Sequence, residues 1–286
     1  EASLIPAERR LDASGGLLAL ARSHGVDEIV VGADDRRGSL PMSDLLECRL
    51  AGIQVTDLAT FFEREAGKIK LGIVDPSWLV FSDGFDRRQW RQVTKRAFDM
   101  AASTILLLLA APLMLLTALA IWLESGFKGP IIYRQERVGE GGRVFTVLKF
   151  RSMRTDAEKD GKAVWAQKDD DRITTVGRVI RKLRIDELPQ VFNVLRGDMS
   201  FVGPRPERPC FVADLSKQIP YFGLRHCVKP GITGWAQLRY AYGASVEGSA
   251  EKLKFDLYYA KNHSLVFDLM ILMQTVEVVL FGKGAR

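Results

Sequence analysis

The chain has 286 residues, which suffice for one large or two modest domains, and 47% of them are apolar, which is ample for a packed core and excludes a disordered protein. Its net charge of +6 suits an anionic partner such as nucleic acid, a phospholipid surface or a phosphorylated small molecule, and charge alone does not choose among them. Three cysteines without CxxC spacing and three scattered histidines argue against a disulfide framework and a zinc centre, and favour a reducing cytosol.

The first 80 residues predict an α/β unit. The sequence VDEIVVGADD (26–35) is typical of a buried strand that ends at Gly32 in an acidic loop, MSDLLECRLAG (42–52) of a helix, and IQVTDL (53–58) of a second strand. Nucleotide binding is one interpretation of this βαβ order, but no GxGxxG follows the first strand, so a regulatory or packing role is at least as well supported. Because the chain opens at Glu1 and enters an amphipathic pattern at once, we expect it to be a fragment that lacks upstream sequence.

An uncharged segment of 23 residues, 101–123, dominates the chain. At about 1.5 Å per residue, a helix of this length crosses a hydrocarbon core of about 30 Å, so membrane contact is favoured over a buried core helix. Pro112 lies at its middle, where a proline removes a backbone hydrogen bond and clashes with the preceding turn, and we therefore expect the helix to bend or break there. The connector before it, 81–96, turns strongly basic toward the membrane segment.

The region after the membrane segment predicts a hairpin followed by helices. Residues 130–153 contain two β-rich runs around the sequence GEGG, which is typical of a β-hairpin. The acidic run KDDD (168–171) is interpreted as a solvated loop rather than a metal site, and a helical pattern resumes from Val176. The stretch 263–286 is apolar but interrupted by charged and polar residues, so we expect it to pack on the preceding domain or to lie along a bilayer interface, with Lys283 and Arg286 near headgroups.

Two adjacent acids, Asp186 and Glu187, lie in an unusually basic stretch. Between residues 178 and 208 there are seven basic residues and four acidic ones, a local excess of +3. One interpretation makes Asp186 the N-cap of a helix and Glu187 a first-turn acid, but it explains only the acids. Arginine binds phosphate in a bidentate manner, and a carboxylate pair in such a field stays ionised, able to hold a divalent metal or to attack phosphorus. The stretch therefore favours a phosphoryl-transfer site.

Four motifs occur together and in order: KRAFD (95–99), QERVGEGGRVFTVLKFRSM (135–153), DRITTVGRVIRKLRIDELPQVFNVLRGDMSFVGPRP (171–206) and KPGITGWAQ (229–237). In these motifs the chain resembles the bacterial sugar transferases, the monotopic polyprenyl-phosphate hexose-1-phosphate transferases, over roughly residues 90–286. The resemblance implies a membrane-anchored enzyme that moves a sugar 1-phosphate from a UDP-sugar to undecaprenyl phosphate and releases UMP.

Carried over by position, the resemblance implies roles for four residues. Asp186 would be the nucleophile that forms an aspartyl phosphosugar intermediate, and Glu187 would hold Mg²⁺. Arg181 and Arg205 match family positions that contact the substrate phosphate. These roles agree with the physics of phosphoryl transfer, which depends mainly on positioning and on neutralising charge over the nonbridging oxygens.

Other motif positions are assigned differently. For Lys149 and Arg151 of KFRSM a structural role is as well supported as substrate contact, and Trp235 is expected in the core. The family often breaks its membrane helix with Ser-Pro, whereas this chain has Ala111 before Pro112, so the hydroxyl that would help to satisfy freed carbonyls is absent.

The predicted architecture is α/β and has four parts. Residues 1–80 form a partial Rossmann-like βαβ domain similar to that of the longer family members, and 81–96 form the basic connector. Residues 97–124 form a re-entrant membrane helix, and 125–286 a mainly helical α+β catalytic domain with a β-hairpin. Basic residues flank the membrane segment on both sides, so both flanks are expected in the cytoplasm under the positive-inside rule.

The predicted function is sugar-1-phosphate transfer at the cytoplasmic face of the bacterial inner membrane, as the first membrane step of exopolysaccharide or other surface-glycan synthesis. Its partners would be a UDP-sugar, undecaprenyl phosphate and membrane lipid; homo-oligomerisation and the choice between glucose and galactose stay open. A non-catalytic membrane scaffold that binds anionic lipid is the alternative, but it has no use for the acid pair. Nucleic-acid binding ranks last, because the arginines are confined to a turn-rich segment near a membrane anchor and no nucleic-acid fold signature appears.

Overall fold

A computed structural model describes residues 6, 9–12, 14–32, 40–72, 76–85, 88–157, 170–240 and 245–281. The chain divides into two compact units, Glu1–Pro76 and Ser77–Arg286. Both helices and strands are present, and together with one long apolar helix they form a mixed α/β fold suited to membrane association.

The first unit contains the predicted strand, helix and strand. Its elements are α1 (Leu17–Ser23), β1 (Glu28–Val31), α2 (Met42–Leu50), β2 (Gln54–Asp57) and α3 (Leu58–Ala66). The two strands pair in parallel, with Glu28 opposite Gln54, and Ala21, Cys48 and Ile53 form the buried centre. The βαβ prediction is confirmed, whereas the acidic loop at 33–35 lies outside the described residues. Two paired strands alone do not establish a Rossmann-like domain.

The second unit begins with α4 (Pro76–Phe81) and a 36-residue helix, α5 (Gln89–Glu124). Among the described helices α5 is the one long and apolar enough to cross a membrane. The helix continues through Pro112, so the chain does not break there, and a bend at this residue stays a prediction. Ala110 and Met114, on either side of the proline, pack on one core cluster with Phe150 and Ile180, and this packing holds the two halves in one helix despite the missing hydrogen bond.

One face of α5 packs on its own unit along most of the helix, while the opposite face is exposed and apolar. The packed residues include Asp99, Ala102, Leu106, Met114 and Ile121. The exposed apolar residues recur at helical spacing and are Ile105, Leu108, Leu109, Leu115, Leu116, Leu119 and Leu123. An uncovered apolar face of this extent suits a lipid environment rather than water.

Both ends of α5 are attached to the same unit. Near its start, Arg96 donates hydrogen bonds to the carbonyls of Val194 and Leu195, the latter at 2.6 Å. At its end, Glu124 Oε1 accepts a hydrogen bond of 3.1 Å from the backbone N–H of Val176. Both ends of the helix are therefore fastened to the unit on which its middle also packs.

The rest of this unit consists of a hairpin, a short parallel strand pair and helices. Strands β3 (Ile132–Val138) and β4 (Val144–Phe150) pair antiparallel around Glu140–Gly142, which confirms the predicted hairpin. Next come α6 (Thr175–Lys182), a 3₁₀ turn (Ile185–Glu187), α7 (Gln190–Arg196), β5 (Ser200–Val202) and α8 (Pro209–Gln218). A 3₁₀ helix (Phe222–Cys227), β6 (Gly231–Thr233), α9 (Trp235–Arg239), α10 (Val246–Asn262) and α11 (Leu265–Phe281) complete it. Strands β5 and β6 are parallel.

The main core lies between β4, β5, α9, α10 and α11. Trp235 is only 5% exposed within it, as predicted, and packs edge-on against Phe267 with 5.3 Å between ring centroids. The acidic run is described only at Asp170 and Asp171, and Asp170 there binds Arg172 at 2.6 Å.

Helix α11 is tied to the core by a buried ion pair. Asp268 binds Lys95 of the KRAFD motif at 2.6 Å and accepts a hydrogen bond of 2.7 Å from Tyr259. This pair explains the presence of Asp268 on a mostly apolar helix. The helix packs on the unit, as expected, and exposes Leu265, Val266 and Met273 on its other side. Lys283 and Arg286 lie outside the described residues.

Candidate active site

The two adjacent acids lie in a tight turn between two helices. After α6, Arg184 takes the left-handed conformation with φ 58°, which reverses the chain and leads into the 3₁₀ turn Ile185–Glu187. Neither Asp186 nor Glu187 caps a helix: the N-cap of α7 is Pro189, and no side-chain capping bond is made there. The interpretation of Asp186 as an N-cap is therefore wrong, whereas Glu187 does lie in a first turn, that of the 3₁₀ turn Ile185–Glu187.

Apolar neighbours fix this turn beside α5. Ile185 and Leu188, which flank the two acids, pack on the cluster that contains Met114 and Ile121 of α5. The acids are thus held next to the helix whose opposite face is apolar and exposed.

Glu187 is buried between two cations. Its Oε1 lies 3.0 Å from Lys149 Nζ on β4 and 3.0 Å from Arg205 Nη2 in the loop after β5. Burial alone would raise the pKa of the Glu187 carboxyl, but the charges of Arg205 and Lys149 outweigh burial and hold that pKa well below its usual value. The low pKa keeps Glu187 ionised, and its two cationic contacts fix its orientation.

Asp186 differs from its neighbour. Its half-buried carboxylate has no hydrogen bond or ion pair with any described residue. Burial, and then the negative charge of Glu187, raise the pKa of Asp186, while Lys149, Arg181 and Arg184 oppose the rise. One acid of the pair is thus held fixed by cations, and the other is left with free oxygens, an arrangement that suits a nucleophile.

The two predicted arginines relate to the acid pair differently. Arg205 contacts Glu187 directly, whereas Arg181 makes no ion pair with either acid among the described residues and acts on Asp186 through its charge. Lys149, which the sequence left between a structural and a substrate-binding role, belongs to the site because it contacts Glu187. Burial lowers the pKa of Lys149, and the charge of Glu187 opposes this.

A second layer of contacts holds the loop that carries Arg205. Arg225 donates a hydrogen bond of 2.8 Å to the Arg205 carbonyl and forms a buried ion pair of 2.8 Å with Asp256, whose pKa burial raises to about 6. Gly203 begins the loop where a side chain would not fit, since an added Cβ would lie 2.2 Å from the Lys229 carbonyl oxygen. These contacts position Arg205, and no local sequence signal indicates them.

The side chains of the KRAFD motif bind other elements of the same unit. Besides the bonds of Lys95 and Arg96, the buried Asp99 accepts hydrogen bonds from the Ser200 hydroxyl at 3.0 Å and the Phe201 N–H at 3.2 Å. The motif therefore fastens α5 to α7, β5 and α11 and contributes stability rather than chemistry.

Mg²⁺ requires oxygen ligands, which carboxylates, water and substrate phosphates supply. Within the described residues no group of three or more potential ligand side chains converges. Both cations donate to Oε1 of Glu187, however, and no described residue donates a hydrogen bond to its Oε2. Because Mg²⁺ commonly binds one or two carboxylates together with substrate phosphates, a free Oε2 beside Asp186 fits this ion.

Comparison with known proteins adds independent information. The bacterial sugar transferase family matches residues 90–282. An Aeromonas hydrophila protein named UDP-N-acetylgalactosamine-undecaprenyl-phosphate N-acetylgalactosaminephosphotransferase is 44% identical over 250 residues, covering 85% of this chain and 56% of that protein. The undecaprenyl-phosphate glucose phosphotransferase of Komagataeibacter xylinus is 44% identical over 202 residues, covering 69% and 38%.

A third relative is shorter. The UDP-glucose:undecaprenyl-phosphate glucose-1-phosphate transferase of Caulobacter vibrioides is 46% identical over 194 residues, which cover 67% of this chain and 71% of that protein. The chain thus spans about half the length of the Aeromonas relative and 38% of the Komagataeibacter one.

Proposed function

The chain belongs to the bacterial sugar transferase family, and we propose that it is an enzyme that transfers a sugar 1-phosphate from a UDP-sugar to undecaprenyl phosphate. The observation that carries the proposal is the asymmetry of the acid pair: Asp186 has free carboxylate oxygens, while Lys149 and Arg205 hold Glu187 ionised. A membrane scaffold that merely bound lipid headgroups would need no such division of roles.

In the proposed reaction, a carboxylate oxygen of Asp186 attacks the sugar-bearing phosphorus of the donor. The bond from that phosphorus to the bridging oxygen breaks, and UMP leaves with the electron pair. An oxygen of undecaprenyl phosphate then attacks the phosphorus of the aspartyl phosphosugar, and the carboxylate of Asp186 is released. The covalent step lets one small site serve two bulky substrates in turn.

The cations around the acids would neutralise the charge that develops during both steps. Arg205 and Lys149 both contact Glu187, and Arg181 and Arg184 oppose the rise in the pKa of Asp186, which favours its ionised form. Glu187 Oε2 and the donor phosphates would hold Mg²⁺, which would supply further charge neutralisation at the phosphate oxygens.

We also propose that the enzyme acts at the cytoplasmic face of the bacterial inner membrane, in exopolysaccharide or other surface-glycan synthesis. The exposed apolar face of α5 would lie in lipid, and the acids beside α5 would meet the phosphate of the lipid acceptor near the membrane surface. The first unit is proposed to be the partial Rossmann-like domain of a longer family member.

The direct test incubates the purified chain with undecaprenyl phosphate and a panel of radiolabelled UDP-sugars. Lipid-linked label from one donor, with release of UMP, is the expected result and identifies the sugar. The panel should include UDP-glucose and UDP-N-acetylgalactosamine, because the names of the relatives specify both sugars. Lipid binding without transfer from any donor would leave the scaffold as the better account.

Activity should rise with pH through a pKa above the ordinary value for aspartate. The nucleophile must be ionised, and burial together with the charge of Glu187 raises the pKa of Asp186 above 3.8, so the reactive fraction grows as the proton is lost. The measurement is the initial rate of UMP release between about pH 4 and 8 at saturating substrates. A rate that fell steadily with pH over this range would contradict an ionised aspartate nucleophile.

Both flanks of α5 should lie on the cytoplasmic side. Contacts of Arg96 and Glu124 with the same unit, and basic residues on both flanks, support this topology. Single cysteines that replace Trp90 or Lys128 in a variant without native cysteines should both be shielded from an impermeant maleimide in intact cells and both react after lysis. Labelling of just one in intact cells would establish a through-span.

A further inference from the structure

The guanidinium of Arg151 is buried and has no partner among the residues that the structure describes. Arg151 follows β4, extends the hairpin by donating its N–H to the Ile131 carbonyl at 2.8 Å, and is only 8% exposed. Its Nη1 is shut off from solvent and makes no hydrogen bond, and no acid or ring among the described residues pairs with the guanidinium.

An unpaired buried cation is strongly unfavourable for a folded protein. Buried charges are ordinarily paired, and an exception in a native fold indicates strain, a functional role or an ion that binds there. In contrast, the buried Arg225 of the same unit has both an acid and a carbonyl as partners. The contrast makes Arg151 a candidate for binding an anion from outside the chain.

The position of Arg151 relates it to the acid pair. Side chains alternate along extended backbone, so Arg151 faces the same side as Lys149, two residues earlier and about 7 Å away along the strand. Lys149 contacts Glu187, which puts Arg151 within a side chain's reach of a phosphate held at the site. The guanidinium of Arg151 lies against the backbone of Gly129, which has φ +82°. Any larger residue at position 129 would collide with it, because an added Cβ would lie 2.4 Å from Nη1.

We propose that Arg151 binds a phosphate group of a substrate at the edge of the site next to α5. This inference rests on the proposed function, because it supplies a further ligand for the same phosphoryl-transfer reaction. A guanidinium forms paired hydrogen bonds to two phosphate oxygens, which an ammonium group does not. The strand partner of Arg151, Ile131, packs on the cluster that contains Met114 and Ile121, and this proximity to α5 favours the phosphate of the lipid acceptor over that of the nucleotide donor.

The test compares Arg151→Met and Arg151→Lys with the wild type in three measurements. Without substrate, Arg151→Met should melt at a higher temperature than the wild type, because it removes an unpaired buried charge. Full turnover should fall about 10²-fold in Arg151→Met and less in Arg151→Lys, which keeps the charge but not the paired donors. With the donor alone, a burst of UMP close to the enzyme concentration that survives in Arg151→Met identifies the acceptor phosphate as the ligand; loss of the burst identifies the donor phosphate.

Two results would overturn the proposal. If Arg151→Met melts at a lower temperature or does not fold, the chain itself stabilises the guanidinium. If Arg151→Met folds and turns over at the wild-type rate, the residue binds no substrate phosphate. Inactivity of the wild type with every donor is a different result, since it would reject the proposed function before Arg151 is considered.

Discussion

Replacing Asp186 by asparagine is expected to reduce sugar-phosphate transfer by at least about 10³-fold, because the amide keeps the volume of the carboxylate but cannot attack phosphorus. The fold should be unaffected, since no described residue forms a hydrogen bond or ion pair with the Asp186 side chain. Burial and Glu187 both disfavour the charge at this position, so its removal should leave the melting temperature unchanged or slightly higher.

A matched control is available in the same segment. Asp198 is also half-buried and lies just after α7, so Asp198→Asn makes the same chemical change outside the acid pair. Release of UMP and transfer to lipid should be measured for both variants, together with thermal unfolding. Near-normal turnover by Asp186→Asn would exclude the covalent mechanism, whatever the behaviour of Asp198→Asn.

Replacing Glu187 by glutamine is expected to damage both stability and activity. The amide cannot neutralise Lys149 and Arg205, which would then lie close together without their shared acid. Breaking a buried ion pair costs about 3–5 kcal/mol, and the partial exposure of Arg205 reduces the expected loss to about 2 kcal/mol, or about 5 °C in melting temperature. Turnover should fall about 10²-fold or more, because both cations lose their positions.

The measurements for Glu187→Gln are thermal unfolding and the rate of transfer as a function of Mg²⁺ concentration. The variant should need more Mg²⁺ than the wild type for half-maximal rate, since one proposed ligand oxygen is weakened. Glu251→Gln is the control, because Glu251 also pairs with a lysine but does so on α10, away from the acid pair. A Glu187→Gln variant as stable and as active as Glu251→Gln would show that the two cations do not depend on Glu187.

The local elements of this fold follow from local sequence. The βαβ order of the first unit, the hairpin around GEGG and the long apolar helix are all confirmed, because each has a periodicity or turn signal within a short window. A break at Pro112 does not occur, for a tertiary reason: local rules predict the missing hydrogen bond, but not that Ala110 and Met114 pack in one cluster with Phe150.

The sequence predicted the acid pair of the site but not the side chains that hold it, because those contacts are tertiary. Adjacent acids in a basic stretch identified the turn, and the ordered motifs indicated the family. The partners of Glu187 could not be found locally, because Lys149 lies 38 residues away in sequence and meets it only through the packing of β4 on the turn. The same holds for Arg225, which holds Arg205 from 20 residues away, and for Lys95, which pairs with Asp268 from 173 residues away.

The central claim is that Asp186 becomes covalently bonded to the sugar phosphate, and trapping that intermediate tests it most directly. Wild-type protein would be incubated with a UDP-sugar labelled in the sugar, without lipid acceptor, then quenched, digested and examined by mass spectrometry. The account predicts a phosphosugar on the peptide that contains Asp186, its absence in Asp186→Asn, and its loss when undecaprenyl phosphate is added. Transfer at the full rate with no labelled peptide, or with the label on another residue, would contradict the account.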